Sequence, residues 1–390
     1  MGAPARRHGR RNESEGSELQ AACMDALRAV FVEKLTLDRV VTTILRERRS
    51  WDPKERGAFV TAIHALVRSW RDVWNSAGFD DGIFLNPMAF TKQRFQKICM
   101  LFAGNRIPRR GCNVPDWLNG VGRVELPDDW LRVRASMDEA ADLFLRVNTL
   151  RTQPAAVLAA FKNSPHSCEA TAFPGALRVT GRRDFYDTLP FKNGWIEVQD
   201  ANSQRVAPFV GAQPGMRVID ACAGAGGKTL HLAALMQNKG RIVALDVAAP
   251  KLEELRRRAA RAGADTIETH VIADSKILKR FHGSADRVLI DVPCSGLGVV
   301  RRNPDIKWKL TRDELHRLQS LQAELLRAYS RFVKPGGKLV YATCSILPSE
   351  GERQVDAFLE ENPAWKLEAE SRLHAGDNGG DGFYMARLAT

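Results

Sequence analysis

The sequence predicts an α/β protein whose largest domain is a parallel sheet covered by helices on both faces. In the C-terminal half, apolar strand segments alternate with helical segments, which is the pattern of a sheet buried on both sides. Before it, residues 141–205 combine short extended segments with a helix, and residues 18–140 have helical periodicity. We therefore expect a helical domain, a small α/β connector and a sheet domain over residues 206–390.

The N-terminal region is predicted to begin with a tail and continue as helices. Residues 1–17 are rich in Arg, Gly, Ser and Glu and have almost no large apolar side chain, so we expect a flexible basic tail. Helical periodicity begins at Glu18. A later helix has an explicit start, with Asp52 as the N-cap, Pro53 at the first helical position and Glu55 completing a capping box.

The composition indicates which binding partners and which cellular compartment to expect. The 58 Lys and Arg exceed the 46 Asp and Glu, which gives a net charge of +12 and favours a polyanion such as nucleic acid, with an anionic membrane surface as the alternative. No long apolar run or secretory signal is present, so we expect a cytoplasmic protein. We also expect a monomer. The seven cysteines are scattered and include no CxxC pair, so we expect neither a disulfide framework nor a metal site.

The predicted sheet has five strand segments, each long enough to cross a buried core. They read MRVIDAC, RIVALDV, IETHVIA, DRVLIDVP and KLVYATC, and the intervening helices start at Gly227 and Pro250 and cover residues 312–332. In an open sheet of this kind, ligands bind outside the carboxyl ends of the strands.

A glycine-rich loop follows the first of these strands. In DACAGAGGKT, backbone N–H groups and a helix N-terminus can approach a ligand closely. A P-loop would need a glycine where Cys222 stands, five residues before Gly227. A dinucleotide fingerprint starting at Gly224 would need a third glycine where Thr229 stands. Both alternatives fail by one residue.

An acid at the end of the second strand favours S-adenosylmethionine (SAM) as the ligand of this loop. The carboxylate of Asp246 can accept both hydroxyls of a ribose, and Asp274, after the third strand, could meet the adenine amino group. A nicotinamide or nucleotide cofactor stays open, as does a simple helix-capping role for Asp246. The predicted cofactor-contacting residues are Cys222, Ala223, Gly224, Ala225, Gly226, Gly227, Lys228, Asp246, Asp274 and Asp291.

Two cysteines follow the last two predicted strands. Cys294 stands three residues after Asp291, and Cys344 lies between Thr343 and Ser345. Either thiol alone is most simply a small buried apolar group. If the two strands are neighbours, however, both thiols lie on the same rim of the sheet as an acid and a cofactor loop, and this combination indicates covalent chemistry.

Four segments resemble, in order and spacing, the motifs of RsmB/Sun-type RNA (cytosine-5) methyltransferases. They are DACAGAGGKT, DVPCSGLGVVRRNPDIKW, YATCSILPSEGE and DGFYMARL, and the resemblance covers about residues 141–390, including RVNTL and VQDANSQ in the connector. The N-terminal helices resemble the NusB-like RNA-binding domain of bacterial rRNA-modifying members through helical patterning alone. The resemblance implies a Rossmann-like SAM-dependent methyltransferase fold and an RNA substrate.

The chemistry implied by the resemblance needs two thiols and an acid. Cytosine C5 is a poor nucleophile, so a thiolate first adds at C6 while an acid hydrogen-bonds or protonates N3. A free cysteine is mostly protonated at neutral pH, so neighbouring positive charge or a proton acceptor is needed, which Lys228 and the basic pair Arg301 and Arg302 could supply. The residues alone leave open which thiol attacks. The resemblance assigns attack to Cys344 and product release to Cys294, places Asp291 at N3 and the exocyclic amine, and gives Lys228 the task of orienting Asp291.

The segment after Cys294 is a candidate RNA contact. Arg301, Arg302 and Lys307 could bind phosphates, and Trp308 could stack on an unpaired base. The alternative is a solvated basic loop whose tryptophan packs into the domain. The helical N-terminal domain favours rRNA. A tRNA substrate, or a catalytically idle RNA-binding ribosome-assembly factor, remains an alternative.

Two positions depart from the family pattern. Gly224 and Ala225 stand where Ala-Pro is common, and Gly351 stands where the family has Asn between two glutamates. The first change could loosen the methionine-binding loop, and the second could remove a substrate contact. Neither affects the two cysteines or Asp291.

Overall fold

The computed structural model describes residues 7–102, 111–181, 184–274 and 276–390, with side chains from Glu18 onward. The chain divides into two compact units. One comprises Met1–Ala140 and Val300–Leu310, and the other comprises Ala141–Val299 and Thr311–Thr390.

The first unit is helical. Its helices are α1 (Arg7–Phe31), α2 (Leu37–Glu47), α3 (Pro53–Arg68), α4 (Trp70–Ser76), α5 (Lys92–Phe102), α6 (Asp116–Glu125) and α7 (Trp130–Ser136), with 3-10 turns at Asp81–Ile83 and Pro87–Ala89. The capping box predicted for α3 is confirmed, because Asp52 Oδ1 accepts from Glu55 N at 2.8 Å and Glu55 Oε2 accepts from Asp52 N at 2.7 Å. Burial of the apolar stripes of α1 to α5 against one another forms one core.

The backbone of the N-terminal segment is helical where the structure describes it, and the expected flexibility of residues 1–17 stays a prediction. Helix α1 begins at Arg7, whereas the sequence predicted a helical start at Glu18. Residues 1–6 lie outside the described residues. Once the buried part of a helix is formed, each further residue adds a hydrogen bond without a new nucleus, so a polar segment can extend the helix without a core of its own.

The segment Val300–Leu310, predicted to contact RNA, packs within the helical unit. It carries the short helix α13 (Ile306–Lys309), and the Trp308 side chain is only 5% exposed, with its ring Nε1 donating to Val67 O at 2.6 Å. Phe84 meets the Trp308 ring edge-on at 5.8 Å between centroids. An indole buried in this way is not available for stacking on a base. The alternative given by the sequence, a tryptophan packed into the domain, is the one observed.

The basic neighbours of Trp308 are also engaged in this unit. Lys307 is fully buried and its Nζ lies 3.2 Å from Asp138 Oδ1, while Arg301 is buried and donates to Ala140 O at 3.0 Å. Arg302 is partly exposed. The pKa of Lys307 falls to about 8 because burial disfavours its charge. The side chains of Arg301, Lys307 and Trp308 are therefore buried and not presented to an RNA in this structure, and RNA binding by this segment stays a prediction.

The second unit begins with a small antiparallel sheet. Its strands are β1 (Phe144–Val147), β2 (Cys168–Ala170), β3 (Ala176–Val179) and β4 (Ile196–Val198), in the order β2-β3-β1-β4, with helices α8 (Pro154–Phe161) and α9 (Leu189–Lys192) and a 3-10 turn at Phe185–Asp187. Apolar side chains from its strands and from α8 form a separate small core.

The main sheet has seven strands in the order β10-β11-β9-β8-β5-β6-β7. The strands are β5 (Arg217–Asp220), β6 (Arg241–Asp246), β7 (Ile267–Val271), β8 (Ala285–Asp291), β9 (Val333–Thr343), β10 (Lys366–Leu373) and β11 (Phe383–Ala389). The helices are α10 (Ala201–Val210), α11 (Gly227–Leu235), α12 (Ala249–Ala262), α14 (Arg312–Ser330) and α15 (Glu352–Glu361), with 3-10 turns at Ile277–Phe281, Leu297–Val299, Pro348–Glu350 and Asp377–Gly379.

The strand pairing confirms the predicted α/β class and adds an antiparallel edge. Strands β7, β6, β5, β8 and β9 are parallel, whereas β11 and β10 continue the sheet antiparallel to β9. Buried apolar side chains form a core on each face of the sheet. Across the described residues, no helix is long and apolar enough to cross a bilayer.

The order of the strands fixes where a ligand can bind. The chain runs from β5 outward to β6 and β7, then crosses to β8 and β9 on the other side of β5. The loops leaving β5 and β8 therefore turn away from each other, which leaves a crevice outside their carboxyl ends.

Candidate active site

The two predicted thiols lie side by side at this end of the sheet. Strands β8 and β9 pair in parallel with Asp291 opposite Ala342, and Cys294 Sγ lies 3.2 Å from Cys344 Sγ. Both cysteines are partly exposed. The expectation that they share one rim is confirmed.

A close backbone contact fixes the loop that carries Cys294. Gly298 N donates to Cys344 O at 2.9 Å, and Gly382 N donates to Gly298 O at 2.8 Å. A Cβ atom on Gly298 would lie 2.2 Å from Gly382 O and 2.7 Å from Cys344 O. Only glycine allows this approach, so the motif glycine holds the two cysteine loops and the start of β11 together.

Lys228 and Asp291 form an ion pair beside the thiols. Lys228 Nζ lies 2.5 Å from Asp291 Oδ2, and the two side chains are 13% and 28% exposed. The ring of Phe383 lies 5.3 Å from the same Nζ. Burial alone would lower the pKa of Lys228, but the charge and hydrogen bond of Asp291 outweigh it and raise that pKa. Lys228 is therefore a cation that fixes the position of the Asp291 carboxylate.

The thiol of Cys344 is held in its protonated form. Its hydrogen bond to Cys294 and its burial raise its pKa well above the ordinary value of 9.0, and the charge of Asp291 adds to this, while Lys228 acts in the opposite direction. A change in the hydrogen bond between the thiols, or a new positive charge nearby, would favour ionisation of Cys344.

The glycine-rich loop is shaped to leave its backbone open. Gly224 and Gly226 both adopt left-handed conformations, with φ of 55° and 84°. A Cβ atom on Gly226 would lie 2.0 Å from Leu255 Cδ1, whereas one on Gly224 would meet nothing within 4 Å. Leu255 therefore packs against the loop at Gly226, whereas the space beside Gly224 is open. Helix α11 begins directly after Gly226.

Asp246 ends β6 beside this loop. Its Oδ2 accepts from Gly224 N and its Oδ1 accepts from Ala248 N, both at 2.8 Å. Each carboxylate oxygen keeps a lone pair for a ligand hydroxyl. The side chain of Val247 is 73% exposed next to it, which offers an apolar face to a flat ring. These residues fit the ribose and adenine of SAM.

The remaining predicted residues lie around the loop with different surroundings. Asp274 follows β7, is exposed, and accepts from Lys276 N at 2.7 Å. Cys222 lies in the turn after β5, where burial raises the pKa of its thiol well above the ordinary value. Asp220, at the end of β5, is buried and accepts from Thr229 Oγ1 at 2.7 Å, and its burial raises the pKa of the carboxyl to about 7.

A buried charged cluster braces the glycine-rich loop, and sequence reasoning missed it. Arg258 on α12 donates to Ala225 O at 2.7 Å and lies 2.9 Å from Glu197 on β4, which also pairs with Arg261. Arg146 on β1 donates to Gly227 O at 3.2 Å. Arg146 of the small sheet and Arg258, which pairs with Glu197 of that sheet, thus bind two carbonyls of the loop. One of these carbonyls belongs to Ala225, where the family commonly has Pro. The signal that could have found it is a charged residue in an otherwise apolar strand.

The sheet topology and the residues at the carboxyl end of its strands are those of a SAM-dependent methyltransferase. Residues 209–389 match the family described as 16S rRNA methyltransferase RsmB/F, and residues 114–186 match the ferredoxin-like domain of the same RsmF/B-like proteins. The chain belongs to the RsmB/Sun-type family, whose cofactor is SAM, as the sequence motifs predicted.

The relatives support this membership. Ribosomal RNA small subunit methyltransferase B from Vibrio cholerae is 33% identical over 70% of this chain and 65% of its own length. A probable ribosomal RNA small subunit methyltransferase B from Synechocystis sp. is 36% identical over 65% of this chain and 58% of its own. The chain thus matches less than two thirds of either relative. The crystal structure of PH0851 shares the fold over 100% of both chains, with a TM-score of 0.79 and 23% identity.

Proposed function

We propose that this protein transfers a methyl group from SAM to C5 of a cytosine in RNA, in the cytoplasm and as a monomer, through a covalent bond between Cys344 and C6. The observation that carries the proposal is the pair of thiols 3.2 Å apart beside the Lys228–Asp291 ion pair. Two thiols at this spacing can reach the same carbon of one base. Small-subunit rRNA is the proposed substrate, because the curated relatives carry that name.

The residues of this chain would act in a defined order. The Cys344 thiol loses its proton as its sulfur bonds to C6. The C5–C6 double bond opens, and N3 gains a proton through Asp291, whose carboxylate is fixed by Lys228 and also accepts from the exocyclic amine. SAM, when bound, supplies the methyl group to the activated C5. The C5 proton then passes to solvent, the S–C6 bond breaks as the C5–C6 double bond re-forms, and the Cys344 thiolate regains the proton released from N3. Cys294, in hydrogen-bond contact with Cys344, assists this release.

The target base must leave any stack to reach these thiols. The C6 atom of a paired cytosine is not accessible to a side chain at the end of a sheet, so the base is unpaired or flipped out, at a cost of a few kcal/mol. The net charge of +12 favours binding of the surrounding phosphates.

The proposal is tested by incubating the protein with small-subunit rRNA and methyl-labelled SAM and identifying the labelled nucleoside after digestion. We expect 5-methylcytosine. Label only on an exocyclic nitrogen, or on no RNA, would overturn the proposal. Cys168→Ala, which changes a thiol of the small sheet outside this site, is the matched control and should give the wild-type product.

The roles of the two thiols are tested separately. Cys294→Ala should accumulate a protein–RNA adduct that survives denaturant, and a further Cys344→Ala should abolish it. Persistence of the adduct in the double variant would show that neither thiol forms the covalent bond. An adduct in Cys344→Ala but not in Cys294→Ala would reverse the roles.

A further inference from the structure

One buried carboxylate lies between the two cysteine loops and has no part in the chemistry described above. Glu350 ends the 3-10 turn Pro348–Glu350 and is 0% exposed. A buried carboxylate is costly unless its oxygens are hydrogen-bonded or paired with a cation. The hydrogen-bond partners of Glu350 therefore indicate its structural role.

The two oxygens of Glu350 bond to the residues that directly follow the two thiols. Oε2 accepts from Ser295 Oγ and from Ser345 Oγ, each at 2.5 Å. Oε1 accepts from Ser295 N at 2.8 Å and from Gln322 Nε2 at 2.9 Å. Ser295 follows Cys294 and Ser345 follows Cys344, so a single side chain links both loops one residue away from each sulfur.

Neighbouring bonds keep Glu350 itself in place. Tyr341 Oη donates to Glu350 O at 2.8 Å, and Gln322 Nε2 also donates to Pro293 O at 3.0 Å. Within the part of the chain that the structure describes, Glu350 has no ion pair with Lys or Arg. The negative charge is therefore stabilised by neutral donors, and four of its hydrogen bonds come from the loops and from α14.

We propose that Glu350 is a positioning residue that sets the distance between Cys294 and Cys344. This inference rests on the proposed function, in which one thiol attacks C6 and the other assists release from the same carbon. Both sulfurs must then stay within reach of one atom, and a displacement of about 1 Å in such a site can cost about 100-fold in rate. The carboxylate suits the task because its two oxygens accept from both loops at once.

The contact geometry predicts which substitutions are tolerated. In Glu350→Gln, an amide oxygen at the Oε1 position still accepts from Ser295 N and Gln322 Nε2. The amide NH₂ at the Oε2 position donates to the two serine hydroxyls, which can act as acceptors. Glutamine thus keeps the link and removes the charge, whereas Glu350→Ala removes both. Comparing these two variants therefore separates the effect of the hydrogen-bonded link between the loops from the effect of the negative charge on the thiols.

The distance between the thiols can be measured chemically without RNA or SAM. Diamide accepts two electrons and the two thiol protons and becomes a hydrazine, while the Cys294–Cys344 disulfide forms. The sulfurs must move from 3.2 Å to about 2.05 Å, so closure is sensitive to loop position. Peptide mass spectrometry follows the rate, and circular dichroism shows that each variant is folded.

We expect rapid closure in the native chain and in Glu350→Gln, and closure about tenfold slower in Glu350→Ala. The control is Asp72→Ala, which removes a buried carboxylate of the helical unit that accepts from Asn113 Nδ2 at 2.7 Å and should lower the melting temperature without slowing closure. Equal rates in Glu350→Ala and Glu350→Gln, or no closure in the native chain, would overturn the proposal. If Glu350→Ala does not fold, the double variant Ser295→Ala/Ser345→Ala cuts the same link.

Turnover then connects the position of the loops to the reaction. On an RNA substrate, Glu350→Ala should lose about 100-fold in kcat with little change in KM, and Glu350→Gln should restore it. If no variant, including the native chain, makes 5-methylcytosine, the proposed function fails while the closure rates still report on Glu350. Slow closure with native turnover would overturn the role of Glu350 in catalysis.

Discussion

Replacing Lys228 with methionine tests the electrostatic core of the site. Methionine keeps the apolar stem and deletes the cation 2.5 Å from Asp291 Oδ2. Removing one partner of a buried ion pair costs about 3–5 kcal/mol, and because Asp291 stays 28% exposed to water, we expect a loss of about 2 kcal/mol in the free energy of unfolding. Because the pKa of Lys228 is raised above 10.5, the contribution of the pair is complete below that pH and is lost as the pH rises through the raised value.

The same change should slow the reaction. Lys228 lowers the pKa of the Cys344 thiol and fixes Asp291, so its loss leaves less thiolate and a less ordered acid. Positioned acid groups contribute about 10²–10⁴-fold, so we expect kcat to fall by at least about 100-fold. Urea unfolding and methyl incorporation at saturating RNA measure the two effects.

A matched control is Lys239→Met, which deletes an exposed lysine and should stay within about 0.5 kcal/mol of the native chain. Native turnover in Lys228→Met would refute the reasoning. So would a stability equal to that of the control.

Three further predictions follow from single contacts. Asp246→Asn should weaken binding of S-adenosylhomocysteine by about 10- to 100-fold in calorimetry, because it removes the charge from two hydrogen bonds and from the proposed ribose contact, and an unchanged Kd would contradict that contact. Trp308→Ala should lower the free energy of unfolding of the helical unit by about 4 kcal/mol in urea, because it leaves a cavity and removes the hydrogen bond to Val67 O. Native stability combined with weaker RNA binding would instead show that Trp308 contacts RNA. The rate of Cys344 alkylation by iodoacetamide should still rise about tenfold per pH unit at about pH 9, where an ordinary thiol levels off, because the pKa of Cys344 is raised above 9.0; a plateau at or below that pH would contradict the raised pKa.

The parallel sheet and the meeting of the thiols could be predicted because both follow from local patterns. Apolar strands alternating with helices define the sheet, and residues that follow adjacent parallel strands must lie at the same edge. Cys294 and Cys344 therefore met as expected although fifty residues separate them. The antiparallel edge of β10 and β11 was missed, because its pairing depends on a distant partner strand and not on the local alternation.

The burial of charged side chains could not be predicted from the sequence. Lys307 and Arg301 have the composition of a solvated basic loop, and only their long-range partners Asp138 and Ala140 show otherwise. Glu350 could be placed in a motif, but its link between the two cysteine loops depends on Ser295, which is 55 positions away in the chain. Sequence patterns report on periodicity and on chain neighbours, whereas compensation of a buried charge is a property of the tertiary structure.

The return of Val300–Leu310 to the helical unit has a consequence for engineering this protein. The helical unit is discontinuous in sequence, so deleting residues 1–140 does not remove all of it. A truncated chain beginning at Ala141 would retain Trp308 and Lys307 without the core and the carboxylate that surround them. Their exposure would favour aggregation. A usable fragment must therefore also replace Val300–Leu310 with a short polar connection, or keep both pieces of the helical unit together.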